Sequence, residues 1–150
     1  MKLEDEIKQT RSFKSPYERT LVNIHFTGKW LEQVQSANLK KFDLTMQQYN
    51  ILRILRGTHP EPATVKILRE RMIDKMSDAS RLVEKLRKKG FLSRKSCKED
   101  RRNVDVSITQ KGLDALASID SLFIEAEKQF HTLSEAEAMQ LGSLLDKLRG

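Results

Sequence analysis

One cysteine, Cys97, stands in the whole chain, which excludes an internal disulfide framework and a cysteine-rich zinc site. Histidine is almost as scarce: His25, His59 and His131 lie far apart and show no helical ligand pairing, so no metal site is expected. A Gly-rich phosphate loop and a nucleophile elbow are both missing, and the carboxylates fall where helix caps and surface pairs would put them. An enzyme is therefore the least supported class, with no catalytic residue and no cofactor expected. The opening stretch, MKLEDEIKQTRSFK, mixes charges of both signs without an apolar run. It predicts neither a signal peptide nor a membrane anchor, hence a cytoplasmic protein with no membrane contact. Residues 1–14 read equally as an ordered arm or a frayed tail. No internal repeat or low-complexity segment appears.

What is present is positive charge in one place. The chain carries 28 basic and 21 acidic residues, net +7 over 150 residues. Residues 66–102 hold fourteen basic residues against six acidic ones, net +8, which leaves −1 for the remainder. A localised field of this kind suits a polyanion, because each neutralised phosphate releases condensed counterions. A solvated charged face is the plainer alternative, and composition does not separate the two. The length suits a single domain over 1–150 with one continuous core.

Start and stop signals partition the chain into helices. Ser15, Pro16 and Glu18 give an N-cap, a proline at the first helical position and a capping-box acid, opening a helix over about 16–38. Its apolar positions Tyr17, Leu21, Ile24 and Leu31 are joined by a second set, Val22, Phe26 and Trp30, wider than one small core needs. Thr45 and Gln48 form another capping box, with Leu44 and Tyr49 as a hydrophobic staple, ahead of MQQYNILRILR. Thr64 can cap the short helix VKILRERM, and IDKMSDASRLVEKLRKKG supplies a longer one that Gly90 terminates.

In that longer segment Ala79, Leu82, Val83 and Leu86 make the buried stripe. FLSRK then reads as a strand and VDVSI as its return, since Val104, Val106 and Ile108 alternate with Asp105 and Ser107. Two short helices followed by a basic hairpin make a winged helix-turn-helix. Thr109-x-x-Gly112 opens another helix, along which Leu113, Leu116, Ile119, Phe123, Ala126 and Phe130 share a face, and Ser134 with Glu137 opens the last. The apolar faces of the terminal helices exceed what the small winged core can cover, which predicts a homodimer over the alternative of a larger intrachain core.

The order LTMQQYNILRIL, SRLVEKLRKKGFLSR, DRR and VSITQKG, followed by a long helix, closely resembles the MarR family of bacterial transcription regulators. The resemblance rests on motifs from Leu44 to Leu116 and on arrangement alone in the flanking helices. It implies a mainly α fold with a small β-wing, a winged helix-turn-helix over about 45–109 flanked by dimerisation helices at about 16–38 and 110–149. It also implies a dimeric regulator, most simply a repressor, bound to a pseudo-palindromic operator in double-stranded DNA.

The same resemblance assigns candidate DNA-binding residues. The family's acid-x-Arg wing motif falls on Asp100 and Arg102, with Arg101 between; an arginine there can enter a narrow minor groove while the acid holds it extended. The recognition helix falls at about 75–89, with Met76, Ser77, Asp78, Ser80 and Arg81 early on its exposed side, where Arg81 can pair with guanine. Lys85, Lys88, Lys95 and Lys98 are candidate phosphate contacts. Asp78 departs from the family, which commonly has threonine or another uncharged residue there; it is either a helix cap, the preferred reading, or a cytosine reader. His25, Phe26, Trp30 and Tyr49 are candidates to line a pocket for the small aromatic or anionic effectors that many relatives bind, with ordinary packing as the plainer reading. Cys97 reads as a bystander, because oxidant-sensing relatives carry their cysteine in the first helix, with oxidative interference at the wing the lesser alternative. The rival to a regulator is a winged-helix module that binds protein or RNA without operator specificity.

Overall fold

The computed structural model describes residues 2–96, 104–128 and 131–150. The N-terminal arm is ordered where it touches the body. Leu3–Glu6 form one helical turn, α1, with Leu3 buried. Glu4 accepts two hydrogen bonds from the Arg19 guanidinium, at 2.5 and 3.2 Å, and these hold its carboxyl down to a pKa of about 2.

Helix α2, Pro16–Leu39, begins as its caps predict, with Ser15 Oγ accepting from Glu18 N at 3.1 Å. The Glu18 carboxylate, however, reaches past the cap to Lys14 N at 2.6 Å, one residue earlier than a capping box requires. Leu39 is the one buried residue of α2. A 3-10 turn, Lys40–Phe42, leads to Asp43 in the left-handed region (φ 54°), where the Lys89 ammonium donates to the Asp43 carbonyl and lies 3.0 Å from its carboxylate.

Helix α3, Met46–Thr58, is the central element, and both bonds of the Thr45–Gln48 capping box are formed. Gln48 is the one buried polar side chain among the described residues, and it meets the cost of burial by accepting from Thr45 N at 3.1 Å. Ile51, Leu52 and Leu55 are almost wholly buried, each worth roughly 1.5–3 kcal/mol of transfer free energy. A short strand that the sequence does not announce, β1 (Ala63–Thr64), precedes α4 (Val65–Arg71). Thr64 serves both: it stands opposite Asp105 in the sheet while its hydroxyl accepts from Ile67 N at 3.3 Å.

The next helix, α5, is Ala79–Lys88 rather than about 75–89. The reason is polar. Asp78 caps it, with Oδ1 accepting from Arg81 N at 3.0 Å, and Asp74 ties the preceding residues into a turn. Gly90, at φ 78°, closes the C-terminus: Phe91 N bonds to Leu86 O at 3.1 Å and Gly90 N to Arg87 O at 2.9 Å, the paired bonds of a Schellman cap. Strands β2 (Leu92–Ser96) and β3 (Val104–Ile108) follow, and the antiparallel sheet runs β1-β3-β2. Leu92 faces Ile108 and Arg94 faces Val106 in register.

Helix α6, Gln110–Glu127, returns across α3 and lays Leu116 and Ile119 into the core. Two contacts fasten it there: the Tyr49 and Phe123 rings meet edge-on at 5.2 Å, and Arg56 grips Asp120 through both nitrogens, at 2.5 and 3.3 Å. Phe130, the last residue of the expected α6 face, lies outside the described residues. The stretch expected as helical over 110–149 is two helices, the second being α7, Glu135–Arg149, with its Ser134–Glu137 capping box complete. No residue of α7 is buried, and Met139, Leu141, Leu144 and Leu148 are all exposed.

Candidate nucleic-acid interface

The described part of the segment rich in basic residues, 66–96, forms most of α4, α5 and β2. Along α5 the buried stripe is Ala79, Val83 and Leu86, with Leu82 packed at its edge. Ser80, Arg81, Lys85 and Lys88 are exposed. Arg81 and Lys85 are four residues apart and so share one helix face. Lys66 and Arg69 of α4, Ser77 and Ser80, and Arg94 of β2 line a groove of about 480 Å³ between the two helices and the wing strands.

Three acids of this region, Asp74, Asp78 and Glu84, are taken up internally. Asp78 caps α5. Glu84 pairs with Arg87 at 2.8 Å and lies 3.9 Å from Arg94, and its carboxyl sits below the usual range chiefly because of the Arg87 hydrogen bond. Asp74 accepts from Ser77 Oγ at 2.7 Å and from Met76 N at 3.0 Å, with Gln47 at 3.5 Å. Those bonds, the Ser77 hydroxyl first, lower its pKa. By contrast, neither Arg81 nor Lys85 has an acidic partner within ion-pair distance among the described residues. Positive charge is therefore left facing outward.

Met76 and Ser77, expected at the start of the recognition helix, sit instead in the turn before it. The turn is braced from two sides, since Asn50 Oδ1 of α3 accepts from Ile73 N at 2.9 Å and Met72 is buried beneath it. Asn50 was not among the sequence candidates. Its signal was available: an asparagine within an apolar-striped helix is disfavoured unless its side chain bonds backbone elsewhere. Lys66, Arg69 and Arg94 were also passed over, hidden among many cations. Lys98, Asp100, Arg101 and Arg102, with Cys97, lie outside the described residues.

The four effector-pocket candidates lie on two elements, His25, Phe26 and Trp30 on α2 and Tyr49 on α3. Tyr49 is buried in the core against Phe123, with Arg53 5.9 Å from its ring centre, and burial pushes its phenol pKa up. His25 and Trp30 are exposed on α2, and Phe26 is half-buried there. Two other concavities, one beside Lys40, Gln48 and Lys85 and one beside Phe42, Phe91 and Lys111, are lined by none of the four. Among the described residues no helix is long and apolar enough to cross a membrane.

Comparison with known proteins agrees with this geometry. The model of the MarR family matches residues 44–104. An HTH-type transcriptional regulator of Bacillus cereus (strain ATCC 10987) is 31% identical over 127 residues, 83% of this chain and 82% of that one. The crystal structure of a MarR transcription factor from Planctomyces limnophilus superposes with a TM-score of 0.69 at 27% identity, covering 90% of this chain and 98% of the other. A structure of S. aureus MepR in complex with DNA has the same fold, with a TM-score of 0.74 at 23% identity, over 91% of this chain and 97% of that one. Carrying the helix-turn-helix, the wing strands and the long flanking helices in the order its sequence motifs imply, this chain belongs to the MarR family of winged-helix transcription regulators.

Proposed function

We propose that the chain is a homodimeric repressor acting in the cytoplasm, binding a pseudo-palindromic operator with one winged body on each half-site. The observation that carries this reading is the net +8 of residues 66–102 together with the internal commitment of Asp74, Asp78 and Glu84. A surface so arranged presents cations outward and keeps these three carboxylates for its own backbone, Ser77 and Arg87. In this reading Met76, Ser77, Ser80 and Arg81 approach base edges in the major groove, and Arg81 pairs with guanine. Lys85, Lys88, Lys95 and Lys98 meet phosphates, while Arg102, steadied by Asp100 and flanked by Arg101, enters the minor groove. The MepR–DNA complex is a relative of the same fold, which supports the assignment.

Dimerisation is supported by the apolar side chains exposed on α2, α6 and α7: Tyr17, Leu21, Ile24, Ile124, Leu144 and Leu148. A second copy would cover them, and two-fold symmetry would set the recognition helices about 34 Å apart, one turn of DNA. An aromatic or anionic effector, which the family resemblance implies, would seat beside His25, Phe26 and Trp30 without Tyr49, whose ring belongs to the core.

The test is binding to a fluorescent duplex carrying the chain's own upstream region, against a scrambled duplex, over a salt series. Selective binding that falls steeply with salt is expected, with Arg81→Ala losing roughly 1–3 kcal/mol at one base pair of each half-site and Arg102→Ala weakening the complex. Leu144→Glu should yield monomers by light scattering and lose the tight complex. Equal, weak binding to both duplexes would refute the operator reading and favour a protein- or RNA-binding module.

A further inference from the structure

The exposed large apolar side chains among the described residues fall into two sets. One lies on α2, α6 and α7 and at Leu133, where a second copy of the chain accounts for them. The other is Ile67, Ile73 and Met76, all within the helix-turn-helix. Ile73 and Met76 are 85% and 93% exposed, more than any other large apolar side chain described. They lie outside the long helices proposed to pair, and two apolar side chains exposed so close together in the helix-turn-helix suit a contact made when the protein works.

We propose that Ile73 and Met76 read thymine by contact with its C5-methyl group, adding an apolar term to the hydrogen-bond readout from α5. This rests on the operator-binding reading above and adds to it a base identity and a second residue. Three observations carry it. The first is place: both residues stand in the turn that enters the recognition helix, immediately before the Asp78 cap. The second is bracing. Ile73 N is held by Asn50 and Met76 N by Asp74, while Met72 between the helices is buried, so neither exposed side chain is free to sink into the core. The third is charge. Lys75 lies between them in sequence and Arg81 follows one turn into α5, so the nearest apolar group that this cationic surface would meet is one carried by a polyanion. The methyl of thymine is the apolar group that a base pair shows in the major groove. Methionine, unbranched and polarizable, adapts to a methyl whose position shifts with local DNA shape.

The experiment recovers the best-bound duplex from a random-sequence library and prepares it twice, with thymine and with uracil throughout, which differ by the methyl alone. Wild type, Ile73→Ala, Met76→Ala and the double variant are titrated with both duplexes, and thermal midpoints are measured alongside; these side chains are exposed, so the fold should be unchanged. Wild type is expected to bind the thymine duplex about fourfold more tightly per methyl contacted. Each single variant should shrink that ratio and the double variant abolish it. A wild type that selects its sequence yet binds both duplexes equally would overturn the inference and leave operator binding standing. So would a double variant that keeps the full ratio. Failure to recover any preferred sequence would overturn the operator reading and this inference with it.

Discussion

Replacing Gly112 by alanine should destabilise the protein although the site is helical. In the body of a helix alanine is worth up to about 1 kcal/mol over glycine. At Gly112 a Cβ would collide with the Phe91 carbonyl oxygen and stand 2.7 Å from Ile108 Cγ1. Neither neighbour can yield. The Phe91 carbonyl accepts from Thr109 N at 3.1 Å, and Ile108 is a buried, β-branched residue of the central strand. Overpacking against such atoms costs roughly 1–3 kcal/mol, which leaves a net loss of up to about 2 kcal/mol, or up to about 8 °C in the midpoint for a chain of this size. Gly57 is the matched control. It lies in α3, and the nearest atom to its added Cβ is an Arg71 nitrogen at 3.9 Å, so Gly57→Ala should stabilise by up to about 1 kcal/mol. Thermal and urea unfolding of both variants under one buffer decide the matter. If Gly112→Ala gains stability as Gly57→Ala does, the close approach of α6 to the root of the wing is not what fixes a glycine there.

Asp78 offers a separate test of role: Asp78→Asn keeps a side-chain oxygen for the Arg81 amide and should preserve the unfolding midpoint. It should also bind DNA as tightly or more tightly, having lost a negative charge, whereas Asp78→Ala should unfold earlier. Relaxed selectivity at a cytosine in Asp78→Asn, with stability intact, would assign Asp78 to base reading instead. Glu4 sets a pH dependence. Its folded carboxyl is depressed to about 2 by Arg19, so its contribution is full above the unfolded value near 4.5 and fades as pH falls from there toward 2. The difference in unfolding midpoint between wild type and Glu4→Gln should be constant from pH 7 to 5 and close below that. No gap at pH 7 would mean the arm is held by Leu3 and not by the ion pair.

Helix starts were the most legible part of the sequence because capping chemistry is local. Ser15, Thr45, Thr64, Thr109 and Ser134 each bond the amide three residues on, as the pattern promised. Alternation at Val104, Val106 and Ile108 likewise marked a strand. The start of α5 was misplaced because Lys75, Met76 and Ser77 suit a helix by propensity, and the competing bonds from Asp74 and Asn50 come from a turn and from another helix. Strand β1 was missed for a related reason: two residues carry no period, and their pairing with β3 is decided some forty residues away. At the candidate site, the exposed cations of α5 followed from helical spacing. The edge-on contact of Tyr49 with Phe123 was not legible, since no local pattern records it.

Thr64 makes the wing and the helix-turn-helix one mechanical part. Its backbone is paired in the sheet opposite Asp105, while its hydroxyl holds the first turn of α4. A hairpin displaced by contact with its target would pull on α4 through a single residue, with no slack of loop between them. Insertions at residues 59–62, ahead of that junction, should leave the coupling whole, whereas one residue added between Thr64 and Val65 would uncouple it. If wing and helix-turn-helix both meet DNA as proposed, they would then have to do so independently, each meeting its own entropy of ordering, where the native chain meets it once during folding.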